Sequence, residues 1–529
     1  MSYARRPIGA LLAIATGFAL AGPAQAAPPT NTQPLQDAVT VGNGNSGIRK
    51  HLKALQEIAD RPGANGTRAT GTQGHEDSLA YVKQQLDATG YYNVTTQPFI
   101  ATVFTQLAPS TLATSPSPSG GWVEGTNFAT MEFSGSGAVN GQVVSIDFAE
   151  PTTTASTSSA GCEASDFPAA GIAGKVALIQ RGTCDFGLKV ENAQNAGAVG
   201  VIIFNEGTLG DPDRNGLING TLGGYTITVP VLETTYADGR LLHDADVAGQ
   251  NPTASIMTST RTDRNQTSNL IAETKTGRTD RTVIVGAHLD SVPEGPGIND
   301  DGSGSATDLE VALQMAKLGI KPVNQVRFIW FSGEEQGLLG STFYADNLSR
   351  KQVQGTSVML DFDMLASPNF AKLIYDGDGS EFGIAGPNGS RAIERVFQDF
   401  FNARGSYTER IPFDGRSDYD EFTVVGIPAG GIFTGAEVHK SQFQQTKWGG
   451  VVSDTLAGQF DPCYHLACDS YGINGHPDNI NDHVLAETSD AVAHAVLTFA
   501  QTTSAVNGTA NGSPKSTKPY DWKGDHRVR

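Results

Sequence analysis

From about residue 258 onward the sequence predicts an α/β domain: a mostly parallel, mixed sheet flanked by helices. Three observations carry that expectation. Short apolar runs recur, namely "RTVIVGA" before His288, "QVRFIWF" before Glu334-Glu335, "SVMLDF" before Asp363, "AKLIY" before Asp376 and "AGGIFT" after Ile427-Pro428. Between the first two lies "GSATDLEVALQMAKLG", which has helical periodicity and Gly319 past its end. Strands alternating with helices imply a parallel sheet covered on both faces. Finally, the runs end in charged or polar residues, and in such sheets functional groups gather beyond the carboxyl ends of the strands.

The remaining segments follow in order. Arg5 and Arg6 precede the apolar run "IGALLAIATGFALAG" and then "AQA" at Ala24–Ala26, the order of a secretory signal peptide over 1–26. The run is too short to span a membrane, and no other stretch of 18 apolar residues occurs. The expected destination is extracellular. Residues 27–46 are polar and aperiodic and are expected to be a flexible lead or pro-segment. "IRKHLKALQEIA" places Ile48, Leu52, Leu55 and Ile58 at helical spacing. "EDSLAYVKQQLDATG" is a second helix closed by Gly90, and "YNVTTQPFIATVF" alternates like a strand. These assign 47–135 to the N-terminal part of the main domain.

Residues 136–257 have their own character. "GKVALIQRGTCDFGLKVENAQNAGAVGVIIFNE" reads as strand, loop, helix, strand, and "TVPVLETTYADGRLL" adds a strand and a helix. With few clustered His or Glu residues, the stretch reads as an inserted, smaller β-rich α/β module. The main domain resumes over 258–502, and 503–529 is expected to be a flexible or removable basic tail. A net charge of −19 argues against nucleic acid or anionic membranes as partners. Four cysteines allow three pairings; proximity favours Cys162–Cys184 and Cys463–Cys468, and no C-x-x-C zinc spacing is present.

A two-metal hydrolytic site needs imidazole and carboxylate ligands, one of them able to bridge, plus a spare carboxylate as base. Candidates stand at the strand ends: His288 and Asp290 as H-x-D, Asp300 and Asp301 in a Gly-rich turn, the pair Glu334-Glu335, Asp363, and His465 within "CYHLACD". Of two adjacent carboxylates on an extended end, one can bind metal while the other faces the bound water.

The motifs "HLDS…GINDDGSG", "FSGEEQGLLGS", "DFDMLASPN", "GRSDYDEF", "GIPAGGIFTGAE" and "CYHLACD" resemble those of the secreted bacterial leucine-type zinc aminopeptidases of peptidase family M28. The resemblance spans roughly 47–135 and 258–502, and the insert resembles a protease-associated (PA) domain. It implies the zinc-dependent exopeptidase fold and two Zn2+ per chain. His288, Asp300, Glu335, Asp363 and His465 would be the ligands. Asp300 would bridge, His288 and Asp363 would complete one metal, and Glu335 and His465 the other. Asp290 would orient His288, Glu334 would be the general base, and Tyr464 would steady the oxyanion. Arg416 and Phe433 would line the pocket for the first residue and its amino group. "SDYDEF" departs from the "SDH" form of some relatives at that wall. The substrates would be peptides or proteins with a free N-terminus, cleaved after a large apolar residue such as Leu. Carboxypeptidase relatives would add a basic cluster, whereas only Arg416 is evident. Single-zinc cyclases and inactive binding homologues would lack positions that are all filled here. Calcium has no clear motif, and the chain is expected to act as a monomer.

Overall fold

The computed structural model describes residues 31–39, 47–152, 158–167, 171–209, 214–218, 220–223 and 225–507. The expected signal peptide and the tail from residue 508 lie outside these. The strands are β1 (Tyr92–Ser115), β2 (Phe128–Thr130), β3 (Gly137–Ile146), β4 (Val176–Gln180), β5 (Gly200–Phe204), β6 (Val231–Thr234), β7 (Thr253–Thr274), β8 (Arg278–His288), β9 (Asn324–Phe331), β10 (Thr356–Phe362), β11 (Leu373–Tyr375), β12 (Glu409–Ile411) and β13 (Ala429–Phe433). Their order is β12-β11-β13-β10-β8-β9-β7-β3-β4-β5-β6-β2, with β1 paired along β7.

The centre, β13-β10-β8-β9, is parallel, and β7 closes it in the antiparallel sense. The carboxyl ends of these four strands therefore share one edge. The side chains alternate as a pleated, doubly covered sheet requires. Val283, Val285, Phe328, Trp330, Leu360 and Phe362 pack beneath the helices Gly47–Ala59, Gln73–Thr89, Gly302–Lys317 and Asp482–Gln501. Ile284, Ile329, Phe331 and Met359 face the other way, against Tyr344, Tyr419 and Phe422. The helix Gln73–Thr89 starts where the Thr72 side chain accepts the His75 N–H and stops at Gly90 with φ 61°, as its sequence signals require.

β1 and β7 form a long antiparallel ribbon, from Tyr92↔Thr274 to Ser115↔Thr253. Its far end carries the insert, whose β3, β4, β5 and β6 run parallel. Buried residues fill both faces of this smaller sheet, Ile179 and Ile203 on one and Leu178 and Ile202 on the other.

Four expectations need correction. The lead 27–46 contains a helix, Gln33–Val39, whose Leu35 and Val39 are buried in the main core. Two turns give too short a window for periodicity to register. The boundary at 136 cuts through packing, because β2 pairs with β6 and Met131 and Phe133 belong to the insert's core. The tail is ordered at its start: Thr503 is buried and Ser504–Asn507 is helical, with Val506 against the core. Finally, β11 runs antiparallel to β13, so Asp376 sits at the opposite edge from the other strand-end carboxylates.

Leu35 is fully buried, so Leu35→Ala is expected to cost about 2–5 kcal/mol in urea unfolding. A change under about 0.5 kcal/mol, typical of surface sites, would mean that the N-terminal helix does not contribute to the core.

Candidate active site

Three parallel strands deliver their next residues to one edge. β8 ends on His288, β9 is followed by Ser332-Gly333 and then Glu334-Glu335, and β10 is followed by Asp363. Asp300 and Asp301 precede the helix Gly302–Lys317 and have different tasks. Asp301 caps that helix, accepting from the Gly304 N–H at 2.9 Å, and also holds the Met364 N–H at 3.0 Å. Asp300 turns into the site. His465 arrives from the loop closed by Cys463–Cys468; this disulfide and Cys162–Cys184 are both formed.

The Asp300 carboxylate lies between the two imidazoles. His288 Nε2 is 3.2 Å from its Oδ1, and His465 Nε2 is 3.3 Å from its Oδ2. His288 Nε2 is also 3.8 Å from Asp363 Oδ1, and His465 Nε2 is 3.1 Å from Glu335 Oε2. Two donor groups result, His288/Asp300/Asp363 and Asp300/Glu335/His465, each with ligand atoms within 4.8 Å of one another. Glu334 belongs to neither, although its Oε2 is 3.8 Å from His288 Nε2. Within the cluster His288 Nε2, Glu335 Oε1 and Asp363 Oδ1 are buried without a hydrogen bond. Buried polar atoms in that condition are costly unless a cation takes them up. The oxygen and imidazole donors suit zinc, so the residues fit the metal. A third acidic group, Asp376/Asp378/Glu394, differs. Arg391 Nε lies 3.1 Å from Asp378 and Arg410 Nε 2.7 Å from Glu394, so two guanidinium groups already supply its counter-charge.

Asp290 works differently from the expectation. The acceptor nearest to His288 Nδ1 is the Asp290 backbone carbonyl at 3.2 Å; the carboxylate Oδ1 is 3.8 Å away and accepts the Glu334 N–H at 3.2 Å. Asp290 thus joins the His288 end of the site to the backbone of the Glu334-Glu335 turn.

Several supporting residues escaped the sequence reading. Asp469 accepts the N–H groups of Asn299 and Asp300 at 2.8 and 3.0 Å. Asp461 accepts Asn299 Nδ2 at 2.6 Å and the Cys463 N–H at 2.8 Å, tying the Asp300 loop to the disulfide loop. Arg68 is fully buried and donates to the carbonyls of Leu289, Pro296 and Gly297. Ser417 donates to Asp363 Oδ2 at 2.8 Å. Leu338, Met364 and His465 have φ of 58°, 50° and 56° and all line the same cavity. Left-handed backbone at non-glycine residues persists where surroundings over-determine it, and it concentrates at functional sites.

The cavity encloses about 520 Å³, a size suited to a small ligand. Tyr375, Ile411 and Phe433 give it apolar surface. Arg416 reaches into it with Nη1 2.8 Å from Glu437 Oε1 and Nη2 3.5 Å from the Tyr464 hydroxyl, while Tyr464 stacks on His465 at 3.8 Å between ring centroids. Glu437, the last residue of "GIPAGGIFTGAE", went unassigned in the sequence; its Oε2 is buried without a hydrogen bond.

Burial pushes the Asp300 carboxyl up, but the two imidazoles outweigh it and hold it below the usual range. Burial raises Glu334 well above its ordinary value, and repulsion from Glu335 and Asp363 adds to this. Burial also raises Glu335, with Asp300 adding repulsion. Burial would lower His288, but Glu334, Asp300 and Asp363 overcome it and hold the imidazole well above its usual value. His465 behaves alike, burial being outweighed by Tyr464, Glu335 and Asp300. Tyr464 is pushed up to about 12 by burial. A divalent cation among these donors would reverse the balance, favouring neutral imidazoles and ionised carboxylates.

Fold and donor set together define a metallohydrolase of the zinc exopeptidase type, and similarity to known proteins narrows the class. Residues 269–496 match the model of peptidase family M28, and residues 139–242 that of the PA domain. An aminopeptidase of Pseudomonas aeruginosa is 43% identical over 87% of this chain and 82% of its own length. A probable leucine aminopeptidase 2 of Aspergillus fumigatus is 36% identical over 85% and 83%. Among solved structures, the aminopeptidase from Aneurinibacillus sp. strain AM-1 superposes with a TM-score of 0.63 at 26% identity, covering 88% of this chain and 95% of that one. The chain belongs to peptidase family M28 and is a zinc-dependent aminopeptidase with a PA domain inserted.

Two outcomes are expected. Arg68→Met leaves three carbonyls of the loop between His288 and Asp300 without their donor. Zinc affinity, measured by chelator competition, should fall about 10–100-fold, as for other groups that brace a metal ligand; unchanged affinity would refute this bracing role. Second, the neighbouring carboxylates favour the protonated imidazoles of His288 and His465, whereas metal binding needs the neutral ones. Zinc uptake at pH 7 should release about one or more protons per chain, read by calorimetry in buffers of different ionisation enthalpy, and affinity should rise with pH. Uptake without proton release would contradict the electrostatics.

Proposed function

We propose that this is a secreted dizinc aminopeptidase that removes a large apolar N-terminal residue from peptides and proteins. The observation that carries the reading is Asp300, whose two oxygens each belong to a different donor group while Glu334 stays outside both. His288 and Asp363 would hold one zinc, Glu335 and His465 the other, and Asp300 would be shared. Zinc so held supplies an activated water of lowered pKa and polarises the scissile carbonyl.

The residues of the chain do the rest. Glu334 takes the proton of the attacking water and returns it to the leaving amine; its raised proton affinity suits that exchange. Tyr464, held beside His465 and Arg416, donates its hydroxyl to the developing oxyanion. Tyr375, Ile411 and Phe433 favour an apolar side chain, in keeping with the leucine-type relatives. Arg416, the one Lys or Arg among the described residues that line the cavity, is paired with Glu437. That favours an N-terminal ammonium group over the C-terminal carboxylate a carboxypeptidase would read.

Two disulfides agree with an oxidising destination. Among the described residues no helix is long and apolar enough to cross a membrane. The signal-type N-terminus supplies the remaining support for secretion. We further infer that the chain works as a monomer.

Chelation should abolish hydrolysis of leucine p-nitroanilide and added zinc should restore it; full activity in a metal-free preparation would overturn the mechanism. Glu334→Gln should keep its zinc content and lose about 10²-fold or more in turnover, whereas normal turnover would remove Glu334 from the role of base. An N-acetylated peptide should resist cleavage. If it is cut as fast as the free one, the enzyme does not require a free N-terminus.

A further inference from the structure

Three side chains that line the cavity, Glu437, Arg416 and Tyr464, form a chain of polar contacts ending beside His465. Arg416 Nη1 lies 2.8 Å from Glu437 Oε1, and Arg416 Nη2 donates to the Tyr464 hydroxyl at 3.5 Å. Asp414, also close to the guanidinium, accepts the Tyr419 hydroxyl at 3.1 Å.

Each member of the chain is anchored by its own loop. The carbonyls on either side of Glu437 are pinned: Ala436 accepts the Asp461 N–H and Val438 the Phe460 N–H, both at 2.9 Å. The root of Arg416 is held by Tyr419, whose hydroxyl accepts the N–H groups of Gly415 and Arg416 at 2.8 and 3.4 Å. The Tyr464 ring lies on His465, with 3.8 Å between centroids and 25° between planes. With ring and backbone set, the freedom left at Tyr464 is the rotation of its O–H. A guanidinium has donors and no acceptor. Toward Arg416 the Tyr464 oxygen can therefore only accept, and its proton has to point elsewhere. A hydroxyl that accepts from a cation is also polarised into a better donor.

We propose that Glu437 is a positioning residue for the hydrolysis: by fixing the Arg416 fork against the Tyr464 oxygen, it leaves the Tyr464 proton directed at the oxyanion. The proposal rests on the aminopeptidase reading, in which Tyr464 is the oxyanion donor. Glu437 itself touches no reacting atom and acts through Arg416. An arginine carries about 2 kcal/mol of rotamer entropy, so without its carboxylate partner the fork would spend less time at the tyrosine. Removing the Glu437 charge should then slow the chemical step and spare substrate affinity, because a bond to the oxyanion exists only once the carbonyl has been attacked.

The test uses the full zinc-loaded enzyme and leucine p-nitroanilide, with Glu437→Gln, Tyr464→Phe and the double variant. Tyr464→Phe should lower kcat about 10²-fold. Glu437→Gln should keep its zinc content, lower kcat about tenfold and leave KM within about twofold. In the Tyr464→Phe background, Glu437→Gln should change kcat by less than about twofold, because the two residues act as one unit. Three results would overturn the proposal while leaving the aminopeptidase intact: an unchanged kcat in Glu437→Gln, a rise in KM or a loss of zinc in place of the kcat loss, or effects that multiply in the double variant. Should Glu437→Gln fail to fold, Arg416→Lys, which keeps the charge but not the fork, carries the same coupling to Tyr464→Phe, and multiplying effects there would overturn the proposal equally. A Tyr464→Phe enzyme that turns over normally would remove Tyr464 from the oxyanion role and the proposal with it.

Discussion

One carboxylate has to answer two imidazoles from distant parts of the chain. Asp300 meets His288 through Oδ1 and His465 through Oδ2, at nearly equal distances. That placement requires β8 to end at the right level, the Asp300 loop to stand opposite it, and the disulfide loop to fold back over both. The Asp469 and Asp461 side chains meet the last two requirements. Each takes hydrogen bonds from Asn299 or Asp300, and Asp461 also takes one from Cys463. N–H groups bonded to these buried carboxyl groups cannot drift without leaving polar atoms unsatisfied, so the two loops are held to each other by the protein alone.

The same region concentrates buried acid groups. Burial raises Asp301 and Asp361 well above the ordinary carboxylate value, and raises Asp418 to about 7. Such crowding opposes folding, because uncompensated buried charge is expensive. The doubly covered sheet offsets it, since nearly every residue of β8, β9 and β10 toward the edge is buried. Active sites commonly trade stability for function in this way.

The sequence made the strand runs legible because apolar β-branched runs ending in charge have few other interpretations. His288, Glu334-Glu335 and Asp363 could be brought together by the rule that parallel strands share an edge, whereas Asp300 and His465, which stand in loops, joined them through the resemblance of their motifs. Other features left no local trace. Arg68 serves carbonyls more than two hundred residues away, and Asp461 and Asn299 meet across 162 positions. A contact at that separation has no periodicity or spacing to betray it. Asp376 looked like its neighbours because a short run does not declare its direction. Glu437 was visible within its motif but gained meaning only when Arg416 was seen beside it. The expected boundary at 136 falls late because β2 is three residues long and Met131 and Phe133 sit in a Ser/Thr/Gly-rich stretch without a strand's alternation.

Asp300 is proposed to be shared by two metal centres. The most direct test is anomalous diffraction at the zinc edge from crystals of the zinc-loaded protein. Two peaks are expected, one among His288, Asp300 and Asp363 and the other among Asp300, Glu335 and His465, each in contact with one Asp300 oxygen. A single peak, or occupancy at Asp376, Asp378 and Glu394 instead, would contradict it.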